Sequence, residues 1–171
     1  MPREQTQANT LSKIDEDFRD WVLVDFKVQR EDWVYYELSD GTRMKFKLVA
    51  RMVFRSKTRT DEKGRPIYSV DIVPVMALSS FPENLRRAPS IGSITYRRLE
   101  KMKPEETVTF ERMKDSAETC SVYLLDDGTV MNSTFKLTSA SRTKLRDNSG
   151  APVFQTRWNV DTKFVQGPPK P

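Results

Sequence analysis

The chain has 171 residues, 37% hydrophobic and 10% aromatic, enough to bury the core of one ordinary domain or two very small ones. It contains no histidine and one cysteine, Cys120, which excludes Ser-His-Asp and Cys-His machinery, His-ligated metal and an internal disulfide. The 29 Lys and Arg outnumber 24 Asp and Glu, a formal charge of +5 that mildly favours acidic partners.

Residues 1–17 read as a polar arm, flexible or shortly helical, with Leu11, Ile14 and Phe18 on one side of a turn over Thr10–Asp20. The arm has no apolar h-region, and no run approaches the roughly 18 apolar residues of a membrane span. A cytoplasmic protein without a membrane partner is expected.

Residues 18–80 form the first unit. Trp21–Val28 reads as a strand, followed by a hairpin around Tyr36-Glu37-Leu38-Ser39-Asp40-Gly41-Thr42-Arg43-Met44. A two-residue Asp40-Gly41 loop would mix apolar and charged residues on each face. A three-residue loop, with Gly41 left-handed, pairs Leu38 with Thr42, Tyr36 with Met44 and Val34 with Phe46, and gathers the apolar set. The next strand, Thr42–Phe54, carries Met44, Phe46, Leu48, Ala50, Met52 and Phe54 at alternate positions, so all six are assigned to its buried face. A long connection over Lys57–Arg65 leads to a strand alternating through Tyr68, Val70, Ile72, Pro74, Met76 and Leu78.

Residues 81–104 form a partly helical connector, with Pro82 starting a single helical turn and Ser93–Met102 a short helix or strand. Residues 105–166 repeat the first unit: a strand over Thr107–Met113, then Tyr123-Leu124-Leu125-Asp126-Asp127-Gly128-Thr129-Val130-Met131, identical to the first hairpin at six of nine positions. Phe135-Lys136-Leu137 repeats Phe46-Lys47-Leu48, a loop spans Leu145–Ala151, and Phe154 to Phe164 alternates as a last strand. Residues 167–171 are a disordered Pro-rich tail. The fold expected is all-β, mainly antiparallel: a tandem duplication of two roughly four-stranded meanders, barrel-like or half-sandwich.

Asp40, Asp126 and Asp127 read as turn residues, and Cys120 as a buried small hydrophobe. No phosphate-binding glycine loop or calcium-loop spacing occurs, so neither a metal nor a cofactor is expected, and no acid, base and nucleophile constellation marks an enzyme. The outward side of the first hairpin places Trp33 and Tyr35 among Arg43, Lys45 and Lys47, with Arg51, Arg55, Lys57 and Arg59 extending the basic line. Cations interleaved with rings suit single-stranded nucleic acid, and equally keep an exposed sheet soluble. Arg97 and Arg98 form a second basic cluster. The matching face of the second unit carries apolar Val122, Leu124 and Val130, suited to burial against the first unit, the connector or a partner chain, whether another protein or a second copy. The reading is therefore a non-catalytic binding protein or assembly subunit, with nucleic acid and protein as competing partners.

Overall fold

The period-two patterns fold as strands. The computed structural model, which describes residues 19–90, 106–114 and 121–166, is all-β. Its strands are β1 (Trp21–Val24), β2 (Phe26–Glu31), β3 (Val34–Leu38), β4 (Arg43–Thr60), β5 (Pro66–Ser80), β6 (Glu106–Val108), β7 (Phe110–Arg112), β8 (Ser121–Leu125), β9 (Val130–Arg146) and β10 (Pro152–Val165). A 3₁₀ turn over Glu83–Leu85 follows Pro82.

Two five-stranded sheets form, and all their pairings are antiparallel. In the first, β5 runs along one side of β4, β3 and β1 share the other side, and β7 lies beyond β3. In the second, β10 runs along β9, β8 and β6 share its other side, and β2 lies beyond β8. Neither sheet closes into the barrel that the alternation allowed.

Five strands per sheet replace the expected four because the first strand of each half breaks and changes sheets. The segment read as Trp21–Val28 splits at Asp25: β1 stays on β4, while β2 joins β8. Its counterpart splits at Thr109: β6 stays on β9, while β7 joins β3. At each crossing a carbonyl meets the opposite hairpin turn, Asp25 O accepting from Asp126 N and Thr109 O from Ser39 N, both at 2.9 Å. The halves are thus tied by main-chain bonds in both directions.

Both hairpins take the three-residue turn. Val34 pairs with Phe46 and Tyr36 with Met44 in the first, and Tyr123 with Met131 in the second; Gly41 and Gly128 hold φ of 83° and 85°. The expected long connections are shorter than they read. Strand continues to Thr60 and Arg146, and Asp61 and Asp147 then close three-residue turns onto Arg65 and Ala151.

The largest departure from simple alternation is a bulge in β4. Ala50 pairs with Ile72 but Met52 with Asp71, so Arg51 is an extra residue and the side-chain phase flips beyond it. Met52 and Phe54, expected inside, leave the core, and Val53 enters it with no exposed surface. A register shift of the same kind in β9 skips Thr138, between Leu137 and Ser139.

The core lies between the sheets. Phe46 stacks on Phe135 across the interface, with centroids 4.6 Å apart, and Tyr36 meets Phe46, Phe110 and Phe135 edge-on. Burying each such ring contributes about 1.5–3 kcal/mol.

Candidate interaction surfaces

Two tyrosines of the repeated hairpins do more than fill the core. Along β4, pairing with β3 ends at Phe46 and pairing with β1 begins at Val53, which leaves Leu48 C=O and Ala50 N–H without strand partners in the gap. The hydroxyl of Tyr123, from the other sheet, fills this gap: it accepts from Ala50 N at 2.9 Å and lies 3.2 Å from Leu48 O. It donates to Glu31 Oε1 at 2.8 Å, and burial, assisted by Glu31, pushes the phenol up to about 12. The reciprocal gap in β9, between β8 and β6, is closed by Tyr36, whose hydroxyl accepts from Leu137 N at 3.1 Å. These partners place Leu137 opposite Ala50 in the reciprocal scheme, so the Phe-Lys-Leu repeat of the sequence is two residues out of step with the structure.

The turn aspartates reach across in the same manner. Asp40 Oδ1 accepts from Thr42 N within its own turn, and Oδ2 accepts from Arg142 Nη1 of β9 at 2.8 Å. Asp127 Oδ1 accepts from Thr129 N, and Oδ2 from Arg55 Nη1 of β4 at 2.6 Å and the Tyr68 hydroxyl at 2.7 Å. Burial alone would raise the Asp127 carboxyl, but the bonds from Tyr68, Thr129 and Arg55 outweigh it and hold the group at about 2. Arg55 had been assigned to the outward basic line. The bulge at Arg51 turns it inward.

The two clamps differ in depth. The Arg142 and Asp40 side chains are 11% and 9% exposed, against 33% and 20% for Arg55 and Asp127. They also differ in what surrounds the turn threonine. Thr129 Oγ1 lies 3.0 Å from the Tyr68 hydroxyl, whereas Thr42 Oγ1 is buried without a hydrogen-bond partner, because Phe154 stands where Tyr68 stands in the other half. Sequence reading found the turns and missed both arginines. A signal existed: Arg55 and Arg142 each follow their half's turn aspartate by 15 residues.

The structure brings Trp33, Tyr35, Arg43, Lys45 and Lys47 to one outer face. Lys45 Nζ sits 4.6 Å from the Trp33 ring centroid and Lys47 Nζ 5.7 Å. The cations there are engaged: Lys47 with Glu31 at 3.3 Å, Arg43 with Glu37 at 3.5 Å and Arg51 with Asp71 at 2.8 Å. Glu31 joins this face to the core, since the same carboxylate receives the Tyr123 hydroxyl. Lys57 bonds to Arg19 O, and Arg59 lies 3.8 Å from Asp20. Arg97, Arg98 and Cys120 lie outside the described residues.

On the second sheet, Val122, Leu124 and Val130 are half-buried on the outer face. Leu124 and Val122 have Lys27 and Arg30 of β2 opposite them, and Val130 has Val165 of β10. A more exposed apolar patch lies on the first sheet beyond the bulge. There Leu23 is paired with Phe54, and Leu23 and Met52 are 62% and 43% exposed. Sequence alternation placed Met52 and Phe54 in the core, so this patch was not foreseen.

Among the described residues no group of three or more acidic or Cys side chains is placed to hold a metal ion, and no helix is long and apolar enough to cross a membrane. Compared with known protein families, curated proteins and solved structures, the chain matches none.

Proposed function

We propose that the chain is a non-catalytic binding subunit whose partner is a protein. The observation that carries this reading is the outer-face patch beyond the bulge, where the exposed Leu23 and Met52 lie beside the half-buried Phe54, because exposed apolar surface on a folded sheet is a liability unless something covers it. The carboxylates support it from the other side: Asp20, Asp40, Asp61, Asp127 and Asp147 are committed to turns, hydroxyls or arginines, which is the work of a scaffold. The reading includes an origin by tandem duplication, supported by crossing strands, gap-filling tyrosines and turn clamps that each occur once per half.

Single-stranded nucleic acid is the weaker reading. Lys45 already occupies a face of Trp33 that a base would stack on, and three of the cations beside it hold carboxylates. Tagged chain isolated gently from its own cells, with and without nuclease, separates the two by native mass spectrometry. A discrete, nuclease-resistant protein complex is expected, and Leu23→Asp with Met52→Asp should dissolve it while the far-ultraviolet circular dichroism stays unchanged. Isolation of the chain alone, or a complex that nuclease disperses, would refute the proposal.

A further inference from the structure

We propose that the cavity between the end of β5 and the start of β10 receives an extended segment of a partner protein that carries an arginine, its guanidinium seated on Asp147. This rests on the protein-binding reading and names the chemistry of a second surface, distinct from the Leu23 and Met52 patch.

The position of the cavity indicates an extended main chain. It has a volume of about 630 Å³ and is lined by residues 76–81, by Arg86, and by Asp147, Ser149 and residues 151–154. Successive side chains of a strand point to opposite faces, so a space that touches six consecutive residues lies beside the strand's edge. Leu38 N bonds to Thr42 O, and Ala50 N points to Tyr123 on the same side of β4, so even-numbered residues from Met44 to Ala50 direct their main-chain groups away from β5. Lys45 therefore bonds to Ala77, and Met76 and Leu78 turn their main-chain groups to the open edge. No strand pairs with them there among the described residues. Each offers an N–H and a C=O to an added strand, downstream of Pro74, which has no N–H to give.

Comparison of the halves indicates the side chain. Leu78 pairs with Met44 as Phe164 pairs with Met131, and the turns that lead into β5 and β10 are bonded alike. Asp61 Oδ1 accepts from Lys63 N and Arg65 N, and Asp147 Oδ1 from Ser149 N and Ala151 N. The equivalent cavity, between the start of β5 and the end of β10, measures about 250 Å³ and is lined by Asp61, Arg65, Tyr68 and Phe164 among others. The first half closes it with its own side chains. The Tyr68 and Phe164 rings stack at 4.5 Å, and Arg65 Nε and Nη2 both donate to Asp61 Oδ2, at 2.7 and 2.6 Å. In the second half Phe154, Leu78 and Ala151 stand at these three positions, and the Ala151 methyl cannot supply the guanidinium that Arg65 does.

Charge selects the same occupant. Arg86, which also lines the cavity, is held by Glu83 Oε1 at 2.7 Å and by Ser149 O at 2.6 Å, with its guanidinium 4.9 Å from the Phe81 ring. Its field reaches Asp147, but Glu83 balances its charge and it makes no ion pair with the aspartate. Among the described residues Asp147 pairs with no cation, so the cavity wall keeps a net negative charge and Oδ2 remains an open acceptor. A guanidinium brings several N–H donors in one plane to that oxygen, and its apolar stem packs along Leu78 and Pro152.

The test titrates the full chain, isotopically labelled, with a blocked pentapeptide of threonine and valine around a central arginine, and follows the backbone amide resonances. Saturable shifts at Met76, Leu78 and Ser149 are expected, with a Kd of about 0.1–1 mM. Citrulline in place of the arginine keeps the shape without the charge and should weaken binding by about tenfold or more. Asp147→Asn should do the same with the circular dichroism unchanged, because asparagine keeps the Oδ1 acceptor that the turn uses. No binding at about 5 mM peptide, equal binding of the citrulline peptide or of Asp147→Asn, or shifts confined to other surfaces overturn the proposal. If a nuclease-resistant complex still forms and Leu23→Asp with Met52→Asp dissolves it, the protein-binding reading stands and only this occupant is lost.

Discussion

The two Asp-Gly-Thr turns share a sequence, a backbone and a cross-sheet arginine, yet they sit in different surroundings. Asp40 and Arg142 are almost sealed; Asp127 and Arg55 keep contact with water and gain Tyr68 as a further donor. The same local motif therefore carries different energetic weight in each half, because depth decides how much of a charge's solvation the partner must replace. The second tight turn of each half repeats the lesson. A Cβ on Gly64 would meet nothing within 4 Å, whereas one on Gly150 would lie 2.5 Å from Arg87 O, since Arg86 and Arg87 pack on that turn.

The most severe way to break the comparison is to remove one aspartate at a time. Asp40→Ala takes a carboxylate from the nearly buried Arg142 guanidinium and should cost about 3–5 kcal/mol, while Asp127→Ala should cost about 1–2 kcal/mol; urea titration of both variants gives the difference. Equal losses would show that depth is irrelevant here. At the second turns, both glycines hold positive φ, so alanine is strained in each, but only Gly150→Ala also drives into the Arg87 carbonyl. We expect about 3 kcal/mol at Gly150 against about 1 kcal/mol at Gly64, read as the separation of their thermal midpoints.

Acid sharpens the contrast from one side. Asp127 is held at about 2 in the folded chain against an ordinary 3.8, so its contribution is complete above pH 4 and is lost as pH falls from about 4 to 2. After allowance for solvent screening the loss is about 1–2 kcal/mol, and the stability difference between wild type and Asp127→Asn should shrink across that window. A difference that stays constant from pH 5 to 2.5 would contradict the assignment. The smallest effect changes sign between the halves. Thr42→Val removes a buried hydroxyl that has no partner and should stabilise by about 0.5–1 kcal/mol; Thr129→Val removes the bond to Tyr68 and should destabilise by about 1 kcal/mol.

Much of this was legible in advance. Register analysis placed Tyr36 against Met44 and Tyr123 against Met131, because a one-residue slip would have exposed the whole apolar set. The bulges were not legible. Met44 to Phe54 alternates without interruption in the sequence, and nothing local marks Arg51 as the extra residue. Its insertion reverses the roles of Met52 and Val53, exposes the Leu23 and Met52 patch and aims Arg55 at Asp127. Trp33, Tyr35, Lys45 and Lys47 share the outward face, and Glu37 lies opposite Arg43 in the register the hairpin gives, but the carboxylates on Lys47 and Arg51 come from Glu31 on β2 and Asp71 on β5, which local pairing does not reveal.

By itself the sequence determined the strands, their faces near each hairpin and the left-handed glycines, since these depend on side-chain alternation and φ alone. Tertiary structure decided where a strand leaves its own sheet, which hydroxyl closes the gap it leaves and which arginine meets each turn. Those choices are made by main-chain groups that must find partners once buried, and their partners lie in the other half of the chain.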